Sequence, residues 1–253
     1  MDEALKCNSL TVGYDGKPVL TDIDFELTRG TLAVLIGANG SGKSTLLRTL
    51  AGLQAPIAGN IMLCGFDIDN VSRRQLSRLR AIVSTSRTGG GALTVEETVA
   101  VGPNESISLF GGMSANDKEV VAKAMEDVGI SSFAHRYLAT LSDGERQKVM
   151  IARALAQDTP LIFLDEPTAF LDVAARIETM DLLRRLALNG KTIVLSTHDI
   201  APAVSRADYI IVADKSRKRV IVGNRDEMIA SGALDAAFDG SAVKFDSSLL
   251  DYR

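Results

Sequence analysis

Cysteine is scarce in this chain: Cys7 and Cys64 are the two present among 253 residues. They form no Cys-x-x-Cys pair and no cluster with either histidine. The spacing therefore supports neither a structural zinc site nor a disulfide framework, and a reduced, cytosolic compartment is the expectation. Long hydrophobic runs are missing as well. No apolar stretch approaches the ~18–20 residues that a membrane-spanning helix needs, so if the protein works at a membrane, something else anchors it. The first residues, Met1-Asp2-Glu3-Ala4-Leu5-Lys6, hold no basic segment followed by an apolar core, and no secretory signal is expected. An excess of positive charge is also lacking: 28 Lys and Arg against 32 Asp and Glu leave a formal net charge of −4. That balance argues against nucleic acid as a partner, because nucleic-acid binders present a basic face. The basic run Lys215-Ser216-Arg217-Lys218-Arg219 lies between apolar residues 209–212 and 220–222, and reads as a solvated hairpin turn rather than a binding patch. There is no internal repeat and no low-complexity tract.

What is present is enough apolar residue, 46%, for a full core in one large domain or a domain with an insertion. Short strands are expected at 10–12 and 23–27, with Gly13, Gly16 and Pro18 marking the turns between them. Further strands are expected at 32–36, 60–63, 81–83, 161–164, 192–196 and 209–212. A helix over 46–50 ends near Gly52, a short basic helix covers 72–79, and another helix covers 174–188. Strands alternating with helices imply a parallel sheet with crossover helices. Between about residues 86 and 158 the pattern turns helical. There Ser114 is placed to cap a helix whose apolar positions, Val120, Val121, Ala124, Met125 and Val128, follow the 3.6-residue period.

The most informative stretch is Gly37-Ala38-Asn39-Gly40-Ser41-Gly42-Lys43-Ser44-Thr45. It fits G-x-x-x-x-G-K-[ST], with a strand before it and a helix after it, as that motif requires. Glycines let successive backbone N–H groups turn inward onto an anion. The helix N-terminus adds partial positive charge at the same point. Lys43 is expected to reach the β- and γ-phosphates of a nucleotide, and the Ser44 hydroxyl to ligate Mg²⁺. The apolar strand 161–164 runs into Asp165-Glu166-Pro167. Alone, that is a strand entering a solvated acidic turn. Beside a phosphate loop, Asp165 is expected next to the Mg²⁺, and Glu166 where it polarises a water toward the γ-phosphate. Leu141-Ser142-Asp143-Gly144-Glu145-Arg146-Gln147 precedes a helix carrying Val149, Ile151, Ala152, Leu155 and Ala156. Ser142 with Glu145 fits a capping box. The same geometry, an exposed helix N-terminus with a serine and a glycine, also makes a second anion site.

With this stretch the sequence resembles the ATP-binding cassette (ABC) family, whose signature is LSGGQ-like; Asp143 stands where the family has a glycine. A carboxylate there is electrostatically awkward, and its side chain is expected to point away from the nucleotide. The resemblance covers residues 5–240. It implies an α/β fold: a P-loop NTPase (RecA-like) core with an N-terminal antiparallel β subdomain, made of residues 1–85 and 159–253, and a helical subdomain, 86–158, carrying the signature. By the same resemblance, Phe170-Leu171-Asp172 is similar to the loop that crosses a dimer interface, and His198 to the histidine that contacts the γ-phosphate. Tyr14 falls where the family stacks an aromatic ring on adenine, although it can equally pack at a turn. The nucleotide-contacting set is then Tyr14, Gly37, Asn39, Gly40, Ser41, Gly42, Lys43, Ser44, Thr45, Ser142, Gly144, Glu145 and Asp172. Glu166 and His198 are catalytic, and Ser44, Thr85 and Asp165 face the metal. Thr85 enters that set because the family's glutamine, at the strand end entering the insertion, is missing from Ser84-Thr85-Ser86-Arg87. A threonine hydroxyl reaches less far than an amide, and slow turnover is the expected consequence.

The resemblance implies ATP and Mg²⁺ as cofactors and a homodimer in which each chain lends the other its Ser142–Gly144 face. The segment from Gly223 through Asp226 and Ile229 to Leu234 and Phe238 is similar to the tail of cassettes serving iron-chelate, haem and cobalamin uptake. The first expectation is therefore the ATPase of an importer. It would lie on the cytoplasmic side of a bacterial inner membrane, with a separate permease and a periplasmic or lipoprotein substrate-binding protein. A soluble cassette acting in assembly or as a mechanical ATPase is the alternative, and a regulatory nucleotide-binding module without turnover is a third.

Overall fold

The computed structural model describes residues 3–84, 92–102, 114–234, 245–246 and 251–252. Strands β1 (Glu3–Tyr14) and β2 (Lys17–Thr28) pair antiparallel across a turn at Asp15-Gly16. Both turn residues have positive φ, +49° and +71°, the backbone that a two-residue hairpin favours because its twist matches that of the strands. β4 (Ala58–Leu63) and β5 (Phe66–Asp67) complete a four-stranded antiparallel sheet in the order β2-β1-β4-β5. The two N-terminal strands are thus twelve residues each, where the sequence pattern predicts short ones. The cause is local: the ladder slips register between Cys7 and Leu10 and again beyond, and Ser9 and Asp22 have positive φ. Bulges of this kind break the period-two alternation by which strand length is read. Gly13 and Pro18 lie inside the strands, opposite each other. Pro18 is tolerated because β2 is an edge strand, where a missing N–H costs the ladder nothing.

Leu32–Ile36, strand β3, is buried at all five positions. A strand buried on both faces belongs in the middle of a sheet covered on both sides, and that is its place. After it come α1 (Lys43–Leu50), α2 (Arg73–Leu79) and β6 (Arg80–Ser84). Beyond the helical segment lie β7 (Leu161–Asp165), α6 (Val173–Leu188), β8 (Thr192–Ser196) and α7 (Ile200–Val204). β9 (Tyr209–Asp214), β10 (Arg219–Asn224) and α8 (Arg225–Ala230) follow. The six-stranded sheet runs β10-β9-β3-β8-β7-β6, parallel throughout except that β10 returns antiparallel on β9. The basic run therefore does turn a hairpin. Leu32, Val34 and Ile36 face one core, shared with α6 and α7. Ala33 and Leu35 face another, filled by Leu46, Leu47 and Leu50 of α1 and by Leu5, Leu10 and Leu20 of the antiparallel sheet.

Helices α3 (Val95–Ala100), α4 (Ala115–Asp127) and α5 (Asp143–Leu155) lie between β6 and β7. Ser114 caps α4 as expected: its hydroxyl accepts from the Asp117 N–H at 3.2 Å, while the Asp117 carboxylate accepts from the Ser114 N–H at 2.9 Å. Val121, Ala124, Met125 and Val128 are buried, and α4 packs against α3 and α5. Near the end, β11 (Phe245–Asp246) pairs with β12 (Asp251–Tyr252). Phe238 lies outside the described residues, whereas Leu234 is buried. Cys7 is buried in β1, and burial pushes its thiol far above the usual range, which marks it as packing rather than chemistry. Among the described residues no helix is long and apolar enough to cross a membrane.

Candidate functional site

The turn from β3 into α1 needs backbone that only glycine supplies cheaply. Gly42 is the N-cap of α1 at φ +100°, and no side chain caps the helix. A methyl group on Gly37 would stand 2.5 Å from the Ala213 carbonyl oxygen and 2.8 Å from Ser41 Oγ. With no acidic residue in the first turn of α1, its first N–H groups are left for an outside acceptor. Lys43 Nζ donates to the carbonyls of Gly37 (2.8 Å) and Ala38 (3.2 Å). An ammonium has three donors, so one is left for the space beyond the loop. Burial holds the Lys43 ammonium below its usual range, against the opposing pull of Glu166 and Asp165. The Ser41 hydroxyl is buried and has no hydrogen-bond partner among the described residues. An anion with several acceptor oxygens is the ligand this loop fits.

The parallel register sets Asp165, the last residue of β7, beside Ser196 of β8. Ser196 Oγ donates to Asp165 Oδ1 at 2.6 Å, and Ser44 Oγ approaches the same oxygen at 3.4 Å. A serine hydroxyl and a carboxylate, each bearing a hard oxygen, suit a cation that keeps water and phosphate oxygens as its other ligands, as Mg²⁺ does. Glu166 has φ +53°. Its backbone N–H is held by the carbonyl and hydroxyl oxygens of Ser196, both at 3.1 Å. A non-glycine residue with left-handed backbone is a local cost that tertiary bonds must hold in place, and such residues cluster at functional sites. Its Oε1 lies 2.9 Å from His198 Nε2. Burial raises the Glu166 carboxyl above the ordinary carboxylate range, Lys43 opposing and Asp165 adding to the rise. Burial, together with Lys43, lowers His198 below its usual value.

Tyr14, the last residue of β1, turns its hydroxyl to accept from Thr45 Oγ1 at 2.9 Å and leaves about half of itself (47%) exposed. A cavity of about 340 Å³ is lined by Tyr14, Val19, residues 39–45, Glu166 and His198. Of the sequence-derived residues, Tyr14, those at 39–45, Glu166 and His198 therefore meet in one place, while Gly37 and Asp165 stand behind the lining. Ser142, Gly144, Glu145 and Asp172 do not line it. Ser142 and Glu145 form the expected capping box at the N-terminus of α5: the Ser142 hydroxyl accepts from the Glu145 N–H (3.2 Å), and the Glu145 carboxylate accepts from the Ser142 N–H (2.8 Å). Those bonds, with Arg136 at 3.2 Å, hold the Glu145 carboxyl below its ordinary range. Asp143 turns along its own helix toward Arg146, 4.0 Å away. Gly144 sits against α6, where an added methyl would come within 3.1 Å of Ala175 Cβ. Asp172 caps α6 by accepting from the Ala175 N–H at 2.8 Å. Ser142→Ala is accordingly expected to cost the isolated chain about 1 kcal/mol in urea unfolding; a midpoint equal to the parent's would remove the cap argument.

Thr85 lies outside the described residues; the residue before it, Ser84, ends β6 opposite Asp165. Sequence reasoning missed Ser196, Thr168, Arg176 and Asp199. Ser196 had a usable signal: a hydroxyl closing the fully buried strand Thr192–Ser196, after the apolar run 193–195, needs a polar partner.

A nucleoside-triphosphatase of the P-loop class is what this sheet order, loop and carboxylate pair define. A family model described as "ABC transporter" matches residues 20–169. The chain is 37% identical, over 237 residues, to the achromobactin transport ATP-binding protein CbrD of Dickeya dadantii, a match that spans 93% of this chain and 88% of that one. It is 36% identical to the iron(3+)-hydroxamate import ATP-binding protein FhuC of Bacillus subtilis, over 84% of this chain and 79% of that one. The structure of CbiO1 from Clostridium perfringens, part of the ABC transporter complex CbiONQ, matches with a TM-score of 0.80 at 28% identity, over 94% of this chain and 95% of that one. The chain belongs to the ABC transporter family. It is one of the family's ATP-binding, ATP-hydrolysing subunits.

Proposed function

We propose that this chain powers the import of an iron chelate, siderophore or haem, through a separate membrane permease, working as a homodimer on the cytoplasmic face of the membrane. The observation that carries the reading is the incompleteness of the cavity. One chain gathers Tyr14, the phosphate loop, Glu166 and His198 around it, and leaves the Ser142–Gly144 helix end and Asp172 elsewhere. A second copy supplies that helix end to the far side of the triphosphate. Lys43 and the first N–H groups of α1 grip the β- and γ-phosphates from one side, and the N-terminus of α5 meets them from the other. Ser44 and Asp165, with Thr85 as the sequence-derived third ligand, would hold Mg²⁺, which would neutralise phosphate charge. Glu166 takes the proton of the attacking water, and His198, held 2.9 Å from Glu166 through Nε2, stands beside the γ-phosphate. Two helix N-termini favour the charge of ATP over that of ADP, so the paired state is stabilised before cleavage and released after it. Residues 86–158 act as the helical unit that carries this opening and closing to the permease. A periplasmic or lipoprotein binding protein delivers the substrate, which this chain does not contact.

The iron-chelate assignment rests on similarity to import proteins such as the iron(3+)-hydroxamate import ATP-binding protein. Its test is uptake. Cells expressing the chain with a permease of the iron-chelate importer class are expected to accumulate a ⁵⁵Fe-labelled siderophore or haem, and cells carrying the Lys43→Ala form are not. Equal accumulation in the two strains sinks the importer reading and favours a soluble cassette.

A further inference from the structure

Asp199 follows His198 and takes no part in the phosphate site described above, yet both its carboxylate oxygens are engaged. Oδ1 accepts from Arg176 Nη1 at 2.7 Å, and Oδ2 accepts from Thr168 Oγ1 at 2.5 Å. Its backbone N–H donates to Thr197 Oγ1 at 3.0 Å, and the two threonine hydroxyls lie 3.2 Å apart. Thr168 and Thr197 are both 1% exposed, while the Arg176 and Asp199 side chains are 40% and 20% exposed, so the pairing is half-buried and rests on an interior hydroxyl pair. Thr168 stands two positions past Glu166, and Glu166 Oε1 is 2.9 Å from His198 Nε2. The bonds therefore close a ring: Glu166 to His198, along the chain to Asp199, across to Thr168, and back along the chain to Glu166.

Arg176 extends that ring. It sits in the first turn of α6, and its Nε donates to the Leu171 carbonyl at 2.8 Å, one residue before Asp172. A single planar guanidinium thus grips loop 170–172 with one edge and the His198 segment with the other. It cannot rotate to improve one bond without losing the other. The loop it holds is under local strain, with Phe170 at φ +66° and 74% exposed.

We propose that Arg176 is a positioning residue for ATP hydrolysis: through Asp199 it sets where His198 and Glu166 stand, and through Leu171 it makes that placement depend on loop 170–172. The inference rests on the reading of Glu166 and His198 as the catalytic pair. It adds that a movement of loop 170–172, the segment assigned to the partner interface, shifts the pair by way of one side chain.

The test uses the full chain with Mg-ATP and compares Arg176→Ala, Arg176→Lys, Asp199→Asn and Glu166→Gln with the parent. kcat, equilibrium ATP affinity and melting temperature are measured for each. Arg176→Ala is expected to lower kcat about tenfold or more while ATP affinity stays within about twofold, because misplacement of reacting groups is costly in rate. Arg176→Lys is expected to regain the melting temperature but not kcat. A lysine restores the charge facing Asp199 and cannot hold both acceptors at the fixed spacing of the fork. Asp199→Asn is expected to lower kcat in the same sense, and it carries the test if Arg176→Ala fails to fold. Any kcat loss beyond threefold that lysine does not repair supports the proposal. A kcat within threefold of the parent, or one that returns with the melting temperature in Arg176→Lys, overturns it. If Glu166→Gln hydrolyses ATP at the parent rate, the catalytic reading itself has failed. If that variant is inactive and Arg176→Ala is as fast as the parent, the positioning role alone has.

Discussion

Glu166→Gln is expected to lower kcat by about 10²–10⁴-fold, the range lost with a general base, and to leave ATP bound. The substitution is nearly isosteric, so the left-handed backbone at φ +53° and its bonds to Ser196 persist. What is lost is proton acceptance: an amide oxygen accepts a hydrogen bond but takes up no proton at neutral pH. The negative charge beside Asp165 also goes, which favours the triphosphate's own charge. ATP is therefore expected to accumulate on the enzyme, and with it the paired form. Size-exclusion chromatography with light scattering, in saturating Mg-ATP, should show a dimer for Glu166→Gln and a smaller fraction for the parent. A variant that turns over within threefold of the parent removes Glu166 from the mechanism. One that is inactive yet stays monomeric, alone and with its permease, removes the composite site.

Lys43→Ala is expected to weaken ATP binding by about 100-fold, from roughly 3 kcal/mol of charge-assisted hydrogen bonding to the phosphates. Two effects act together. The loop loses the ammonium that donates to the Gly37 and Ala38 carbonyls and keeps one donor for a ligand. The cavity also loses the cation that offsets the charge of the carboxylates beside it, Asp165 and Glu166. A pocket holding Asp165 and Glu166 without Lys43 repels a polyphosphate. Titration with a fluorescent ATP analogue measures the change, and an affinity within threefold of the parent would falsify the phosphate-gripping role of Lys43.

Much of this was legible in the chain because it is local. The phosphate loop sits between a fully apolar strand and a helix, and nine consecutive residues, 37–45, announce it. The hairpin at 215–218 and the Ser114 and Ser142 caps are likewise set by residues within a few positions of one another. The N-terminal strands were read too short because bulges near Ser9 and Asp22 shift which face each side chain takes. The Thr168–Asp199–Arg176 contacts were invisible for a different reason. They join residues 23 and 31 positions apart, and only the parallel pairing of β7 with β8 brings the two loops together. Neither an aspartate after a histidine nor an arginine in a helix's first turn signals a partner by itself.

The backbone of Glu166 has one further consequence. A glycine at that position would adopt the same left-handed turn without a steric cost, so the residue that serves the chemistry is not the one that serves the fold. Selection for a hardier protein, applied without selection for transport, would drift toward an inert one, and heat resistance in this lineage has to be gained elsewhere in the chain.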